Sequence, residues 1–315
     1  MRELSEIIVP SEDLVADIAA FEARGFRLDV ISPADDPRTA VLSGHGLTLR
    51  LDTRAEVTRP PTAEATFADR FVHTRGGDWG DGRASMQYRD LIPDRHGGHV
   101  IASHIRIPEA GPVPDYVHHH DIAFQIIFVR HGRVQVIYED QGDAFWMEEG
   151  DVVLQPPHIR HRVLASDDAL EVIEVASPAE HPTFVEHELT LPTASVDRQR
   201  DFGGQRFCFD RAEAAAWHPL GDRWEHRDCG IGEATNGVGS VRVLRPVDRQ
   251  GTVREAHNGT LCLLFLLAGA CTLDVDTTSA AHQLADADAV AVPAGSTWTL
   301  RDAEPGTTVL HVAMA

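Results

Sequence analysis

Three histidines in the middle of the chain have the residue type and the spacing expected of a metal site. His118 and His120 are two residues apart, so on a β-strand both side chains point to the same face. His161 lies further along the chain, after two consecutive prolines that end a strand pattern. Neutral imidazole binds first-row transition metals. Three imidazoles leave coordination positions open, which indicates catalysis or ligand exchange rather than a closed structural site.

Two blocks of sequence around these histidines resemble the two motifs of the cupin family. The first block is His-x-His, four residues, Gln125, six residues and Gly132, and it departs from the family only where cupins usually have Glu. The second block runs from Gly150 to His161, and it departs only at His158, where cupins usually have Gly. In cupins these motifs bind one metal ion inside a small β-barrel. The resemblance implies one divalent transition metal per chain, with four ligands: His118, His120, Gln125 and His161.

Gln125 determines the charge of the predicted site. A glutamate would cancel one charge of a divalent ion, whereas an amide cannot. The metal would stay more Lewis acidic and would favour an anionic, bidentate substrate, such as an enolate, a catecholate-like diol or a 2-hydroxy acid. The histidine set resembles that of three-histidine cupin dioxygenases, including the gentisate-type bicupins. This resemblance implies Fe(II), with Ni, Mn, Cu or Zn as alternatives.

Three further side chains are candidates for catalysis beside the metal. Arg106 is on the preceding strand and can hold a substrate carboxylate with two hydrogen bonds, or form a salt bridge at the barrel rim. Tyr116 precedes the first motif by two residues, which places it near the expected cavity mouth. His158 can relay protons, or it can face water in its turn.

An internal repeat defines the fold that must position these residues. Phe128 and Gly132 recur 137 residues later as Phe265 and Gly269, and other landmarks keep the same offset. We therefore predict a mainly β protein with two tandem cupin (jelly-roll) barrels, which hide their strand edges and enclose a cavity. The predicted segments are a metal-binding barrel at 70–185, a linker at 186–205 and a degenerate second barrel at 206–315.

The same offset predicts that only the first barrel binds a metal. It maps the four expected ligands, in order, onto Glu255, His257, Cys262 and Trp298. Tryptophan is not a metal ligand, and its ring would fill the space that a metal and a substrate need. Glu255, His257 and Cys262 are ligand types, but we favour a structural role for them.

The first 52 residues have the pattern of a separate β-α-β-β-β module, followed by a linker at 53–69. The order resembles one module of the vicinal-oxygen-chelate (glyoxalase) family, in which ligands usually come from the first and last strands. The corresponding stretches here offer neither a carboxylate nor a histidine, so we expect a non-catalytic module. A lone module leaves a sheet edge unpaired, and we expect a second chain to cover it in a homodimer.

Composition excludes several classes of partner. The net charge of −21 argues against nucleic acid and against an anionic membrane surface. The four cysteines form no CxxC pair, and no apolar run is long enough to span a bilayer. The N-terminus has no signal-peptide core, so we expect a cytoplasmic location.

The sequence therefore predicts a metal-dependent cupin enzyme that acts on a small molecule, with an anionic one favoured. The first candidate is a non-haem Fe(II) dioxygenase or oxygenase for a small oxygenated organic acid or aromatic. The second is a non-redox cupin, such as a lyase, isomerase or cyclase that uses the ion as a Lewis acid. The third is a non-enzymatic binding protein, although no helix-turn-helix pattern accompanies the barrels.

Overall fold

The structure is a computed structural model that describes residues 6–54, 70–82, 84 and 86–315. It is mainly β, as predicted, and it has a small N-terminal module followed by two jelly-roll barrels. Most of the predicted linker at 53–69 lies outside the described residues. The predicted linker at 186–205 contains no helix or strand, and its Arg200 binds both Glu139 and Asp140 of the first barrel at 2.7 Å.

The N-terminal module is a four-stranded sheet with one helix packed on one face. The sheet order is β1-β4-β3-β2, and β1 is parallel to β4. Asp13 caps the helix by accepting a hydrogen bond from the backbone N–H of Ala16, and Leu14 and Ile18 bury the apolar side of the helix. The predicted β-α-β-β-β order is confirmed. Its elements are β1 (Glu6–Pro10), α1 (Leu14–Glu22), β2 (Arg27–Ser32), β3 (Thr39–Gly44) and β4 (Leu47–Asp52).

Two long strands, β11 and β14, organise the first barrel. They have 15 and 17 residues, and they pair with each other through three register shifts. Such irregularities bend strands, so one pair can run through both sheets of a barrel. The strands of this part of the chain are β5 (Val72–Thr74), β6 (Gly80–Asp81), β7 (Gln87–Asp90), β8 (Ile101–Ile107), β9 (Gly111–Pro112), β10 (His118–His120), β11 (Phe124–Tyr138), β12 (Phe145–Met147), β13 (Val152–Leu154), β14 (His161–Ser177) and β15 (Thr183–Val185).

The second barrel is built from a seven-stranded and a four-stranded sheet. No helix in the part of the chain that the structure describes is long and apolar enough to cross a membrane. The elements of this part are β16 (Cys208–Asp210), β17 (His218–Leu220), β18 (Trp224–Asp228), α2 (Ile231–Ala234), β19 (Gly239–Pro246), β20 (Val253–His257), β21 (Leu261–Ala268), β22 (Ala270–Val275), β23 (His282–Ala285), β24 (Ala289–Ala291), β25 (Ser296–Arg301) and β26 (Thr308–Met314).

The predicted repeat is visible in the strand register. Ile126 pairs with Leu154 in the first barrel, and Leu263 pairs with Ala291 in the second. Both members of the second pair lie 137 residues after those of the first, so the offset read from the sequence is also the offset between paired positions. The duplication is therefore confirmed at the level of individual cross-strand pairs.

Each barrel contains one strand that comes from the start of the segment predicted to form the other barrel. β5 pairs with β24 of the second barrel, and β16 pairs with β13 of the first. The exchange is reciprocal and follows the repeat, because the two exchanged strands are equivalent in sequence position. The segment boundaries at residues 70 and 206 therefore do not separate two self-contained barrels.

The edge strand β2 of the module is covered within the chain. Ile31 pairs with Thr183 and Val30 with Phe184, so the sheet of the module continues through β15 into the first barrel. For this edge the expectation of a covering second chain was wrong. This pairing could not be predicted from local sequence patterns, because it joins residues far apart in the chain. The other edge of the module, β1, pairs only with β4 among the described residues.

A polar network that is buried at Arg89 and His104 and exposed at Asp286 links the two barrels. Nδ1 of His104 accepts a hydrogen bond from Arg89 at 2.9 Å, and its Nε2 donates to Glu171 at 2.8 Å, which defines a neutral tautomer. Arg130 donates to Glu171 and, at 2.8 Å, to Asp286 of the second barrel. Burial lowers the pKa of His104. The hydrogen bond from His104, with help from Arg130, lowers the pKa of Glu171 to about 2.

We predict that the Glu171 network stabilises the protein above the pKa of an unfolded glutamate, near 4.5, and is lost as the pH falls towards about 2. The contribution of Glu171 at neutral pH should be about 1–2 kcal/mol, less than the full value of the pKa shift, because the carboxylate is partly exposed and solvent screens it. Urea unfolding of wild type and Glu171→Gln at several pH values measures it. The two stability curves should approach each other as the pH falls from about 4.5 to about 2, and a constant difference between them would contradict the prediction.

We predict that a second copy of the chain covers the β1 edge. Ile7 and Ile8 are 46% and 40% exposed there, and exposed apolar edge strands pair readily with other chains. Ile8→Lys places a charge on this edge and should shift sedimenting species from dimer to monomer. Val247→Lys, at an exposed apolar residue of the second barrel, is the matched control and should leave the dimer intact. A monomeric wild type would contradict the prediction.

Candidate metal centre and its cavity

The three histidines of the two motifs converge inside the first barrel. β10 pairs with β14 through one residue pair, His118 with His161, and His120 lies on the same face of β10. One ring nitrogen from each histidine lies within 4.8 Å of the other two, and all three side chains are buried. Among the described residues, this is the only group of three or more His, Cys, Asp or Glu side chains so arranged.

Backbone carbonyls orient two of the three rings. Nδ1 of His118 donates to the carbonyl oxygen of Tyr116 at 2.8 Å, and Nδ1 of His161 donates to that of Ile159 at 3.0 Å. A carbonyl oxygen only accepts, so both Nδ1 atoms carry the proton and Nε2 is the nitrogen that can bind a metal. Metal-binding histidines are usually fixed in this way.

Side chains beside the histidines complete the orientation. Nδ1 of His120 lies 3.2 Å from the hydroxyl of Thr183, a fully buried residue of β15. The buried carboxylate of Asp115 lies 3.6 Å from Nδ1 of His118, and it accepts a hydrogen bond from the backbone N–H of Val163 at 3.0 Å. Sequence reasoning missed Asp115 and Thr183. The available signal was that Asp115 lies three residues before the first motif.

Gln125 lies in the same cavity as the histidines and has an unsatisfied oxygen. Its Nε2 donates to the carboxylate of Glu174 at 2.6 Å. Its Oε1 is buried without a hydrogen-bond partner, at a usual cost of about 1–3 kcal/mol for a buried polar group. A metal ion would satisfy this oxygen. Three imidazole nitrogens and an amide oxygen therefore fit a divalent transition metal.

The cavity around the histidines is mainly apolar. Tyr138, Gln155, Glu174 and His181 add polar groups to the wall, and none of the described lining residues is lysine or arginine. The cavity therefore supplies no side-chain cation to an anionic ligand. Its aliphatic lining residues include Ile101, Ile105, Ile107, Ile127, Val134, Val136, Val163, Leu170 and Val172.

Tyr138 presents a hydroxyl group next to the histidines. Its ring stacks on that of His161, with centroids 5.6 Å apart, and its oxygen accepts a hydrogen bond from Gln155 at 2.8 Å. Burial raises the pKa of the Tyr138 hydroxyl, so it stays protonated. No acceptor for that proton is found among the described residues. Sequence alternation could have identified Tyr138, because Val134, Val136 and Tyr138 all line the cavity.

Arg106 and Tyr116 do not line the cavity. The guanidinium of Arg106 lies 4.1 Å from the ring centroid of Trp79, and its Nε donates to Gln87 at 2.8 Å. The side chain of Tyr116 packs against the core of the N-terminal module, while its backbone carbonyl holds His118. Because neither side chain lines the cavity, we assign no catalytic role to Arg106 or Tyr116.

His158 lies at the surface, in the turn before the second-motif histidine. Its side chain is 55% exposed and lies 3.6 Å from the carboxylate of Asp121. Its φ of +62° is in the left-handed region, where glycine is favoured and histidine is tolerated. The backbone therefore explains why cupins usually have Gly at this position. Because His158 does not line the cavity, we do not assign it a role as a proton relay.

The equivalent positions in the second barrel form an ion pair instead of a metal cluster. Arg242 donates to both carboxylate oxygens of Glu255, at 2.9 and 2.5 Å, and to Nδ1 of His311 at 2.9 Å. Burial lowers the pKa of His311 to about 3, so that ring is neutral. Cys262 lies 3.6 Å from Nε2 of His311, and the buried ring of Trp298 occupies the position equivalent to His161.

Comparisons with known proteins identify the fold. No protein-family model matches the sequence, and no curated protein matches it. The structure is similar to that of the protein Ylba from E. coli, with a TM-score of 0.55, 11% identity and coverage of 81% of this chain and 95% of that one. An oxalate decarboxylase matches with a TM-score of 0.53, 11% identity and coverage of 79% and 76%.

Salicylate 1,2-dioxygenase from Pseudaminobacter salicylatoxidans matches with a TM-score of 0.50, 17% identity and coverage of 69% of this chain and 71% of that chain. The match to such proteins extends over both barrels, and the strand register repeats between them. The chain has a bicupin fold. In this bicupin the histidine cluster belongs to the N-terminal barrel. Identities this low show the fold and leave the reaction to be argued from the site.

We predict that Gln125→Glu raises the affinity for a divalent metal, because a carboxylate stabilises the cation better than an amide oxygen. The single variant also sets two carboxylates against each other, since Gln125 donates to Glu174. The double variant Gln125→Glu/Glu174→Gln exchanges the two groups and restores the hydrogen bond. Isothermal titration with Co(II) should show tighter binding for the double variant than for wild type.

His161→Ala is the reference for loss of the site in the same titration and should abolish tight binding. Wild type should bind one equivalent per chain. Unchanged affinity in the double variant would show that Gln125 Oε1 does not bind the metal, and two equivalent sites in wild type would contradict a single N-terminal centre.

Proposed function

We propose that this bicupin is a metal-dependent oxygenase for a small, largely apolar molecule that carries oxygen substituents. The observation that carries the proposal is the group of three oriented imidazoles, His118, His120 and His161, inside an apolar cavity. Closed structural sites are tetrahedral and filled by four strong protein ligands, whereas an ion that takes five or six ligands would keep positions for exchangeable ligands beside three histidines and a weak amide oxygen.

The residues that would hold the metal are these three histidines and Gln125. This donor set suits Fe(II), which we propose, and also Ni, Mn, Cu or Zn. When bound, such an ion supplies Lewis acidity and, in the case of iron, redox chemistry with oxygen. The protein contributes ring orientation through the Tyr116 and Ile159 carbonyls, and an apolar wall that excludes water.

The cavity favours an aromatic or similarly apolar substrate. Its aliphatic wall suits a ring, and no lysine or arginine among the described lining residues would bind a second carboxylate. A small dianion such as oxalate, the substrate in the name of one structural neighbour, therefore suits it poorly. The salicylate of another neighbour is aromatic and fits better. The charge of an anionic substrate would be met by the metal.

Tyr138 would orient such a substrate. The Tyr138 hydroxyl already accepts a hydrogen bond from Gln155, so its proton is available to an oxygen of the substrate. The carboxylate of Glu174, which binds Gln125, also lines the cavity. This carboxylate favours the second candidate, a non-redox lyase, isomerase or cyclase, because such reactions use carboxylates in proton transfer.

Metal content and oxygen uptake together test the proposal. Purified protein should contain one transition metal per chain by elemental analysis. After loading with Fe(II), it should consume oxygen with catechols, hydroxybenzoates or enolisable 1,3-diketones. The His161→Ala variant should not. Turnover of these compounds without oxygen uptake would favour the non-redox candidate. Binding without turnover would favour a non-enzymatic binding protein.

We predict that Tyr138→Phe weakens binding of 4-nitrocatechol to the Co(II)-loaded protein by about tenfold, through loss of one hydrogen bond. Metal affinity should be unchanged. Tyr116→Phe is the matched control, because its side chain lies outside the cavity, and it should bind the catechol as wild type does. The visible absorption of the probe reports binding. Equal affinities in Tyr138→Phe and wild type would contradict the role of the hydroxyl.

A further inference from the structure

We infer that the turn between β2 and β3 of the N-terminal module forms one wall of the metal cavity and limits the size of the ligand. Three consecutive residues of this turn, Pro33, Ala34 and Asp35, line the cavity together with the metal-binding histidines. The module therefore has a part in ligand selection. This inference rests on the proposed function, because it assumes that ligands bind beside the metal.

The sheet fixes the position of this wall relative to the metal ligands. Ile31 of β2 pairs with Thr183 of β15, and Thr183 pairs in turn with His120 of β10. The same Thr183 hydroxyl lies 3.2 Å from Nδ1 of His120. Pro33 follows two residues after Ile31, so the turn begins where the paired strand ends. Three adjacent strands thus set the distance from the wall to the metal centre.

Side-chain contacts tie the turn to the first barrel on both sides. Asp35 accepts a hydrogen bond from Arg95 at 2.6 Å, and both side chains are mostly buried. Beyond the turn, Arg38 donates to Glu180 at 2.8 Å. The Arg95–Asp35 pair is charge-assisted and shielded from solvent, so it holds the turn against the barrel, whereas the more exposed Arg38–Glu180 pair adds little.

The turn packs closely against the barrel at Gly82. A Cβ atom at Gly82 would lie 2.3 Å from the ring of Tyr88 and 3.1 Å from the carbonyl oxygen of Ala34. Gly82 therefore allows the module and barrel backbones to approach each other. Tyr88 also lines the cavity, so the wall continues from the turn into the barrel.

Ala34 is the residue at which this wall can be made larger without altering the metal site. Its side chain is a single methyl group, and it is half-buried, so it lies between the cavity and the surface. A larger side chain at this position would occupy space that a ligand body uses. The tie between Asp35 and Arg95 would remain. The position therefore selects among ligands by the size of the group that extends away from the metal.

The test compares two hydroxamates that bind metals through the same pair of oxygens but differ in body size. Acetohydroxamate and benzohydroxamate are titrated into Co(II)-loaded wild type, Ala34→Trp and Val15→Trp, with the cobalt absorption spectrum as readout. Val15 is 71% exposed on α1 and lies away from the cavity, so it controls for a new tryptophan on the module. Co(II) content is measured for each protein.

We expect Ala34→Trp to bind acetohydroxamate as wild type does, and to bind benzohydroxamate about tenfold or more weakly because of overpacking. Val15→Trp should bind both as wild type does. If wild type itself excludes benzohydroxamate, Ala34→Gly should admit it.

Equal benzohydroxamate affinity in wild type and Ala34→Trp would overturn the inference and leave the proposed function intact. If wild type excludes benzohydroxamate and Ala34→Gly also fails to bind it, the same conclusion follows. If neither hydroxamate binds to wild type that contains Co(II), the result would instead count against the open metal site, and against the wall with it. Should Ala34→Trp fail to fold, Ala34→Leu is measured in the same way, with the same outcomes.

Discussion

The site depends on one cross-strand pair, His118 with His161. These residues belong to two separate motifs, and only the pairing of β10 with β14 brings their rings together. A shift of one residue in this register would turn the second histidine to the opposite face of its strand. The other features of the site act on that pairing: the long bent strands carry it, the backbone carbonyls aim the rings, and β15 supports β10 from the other side.

Charge distinguishes this centre from one with a carboxylate ligand. The chain carries a net charge of −21, yet the side chains proposed as metal ligands are neutral: three imidazoles and an amide. The carboxylate of Glu174, which also lines the cavity, accepts a hydrogen bond from the amide of Gln125 at 2.6 Å. A divalent ion would therefore keep most of its charge for the substrate. An apolar surrounding strengthens that attraction, because little solvent screens it.

The histidine cluster and the two barrels could be predicted from the sequence because both follow fixed spacings. Two motifs and a constant offset identified the histidine cluster and the two barrels, and the strand register confirms the offset. The placement of Arg106 and Tyr116 could not be predicted, because alternation gives the face of a strand and not the partner that packs on it. Arg106 stacks on Trp79, and Tyr116 packs on the module. The docking of β2 on β15 left no local pattern in the sequence.

The exchange of β5 and β16 between the barrels has a consequence for how the chain reaches its native state. During synthesis, the N-terminal barrel lacks one strand of its sheet until residues 208–210 have emerged. The strand β5, which is made first, cannot form its pairing until β24 has been made. Neither half is complete alone, so we expect the two repeats to fold as one cooperative unit and not as two independent ones. A fragment cut between the repeats would expose two unpaired strand edges, and aggregation would be its expected fate.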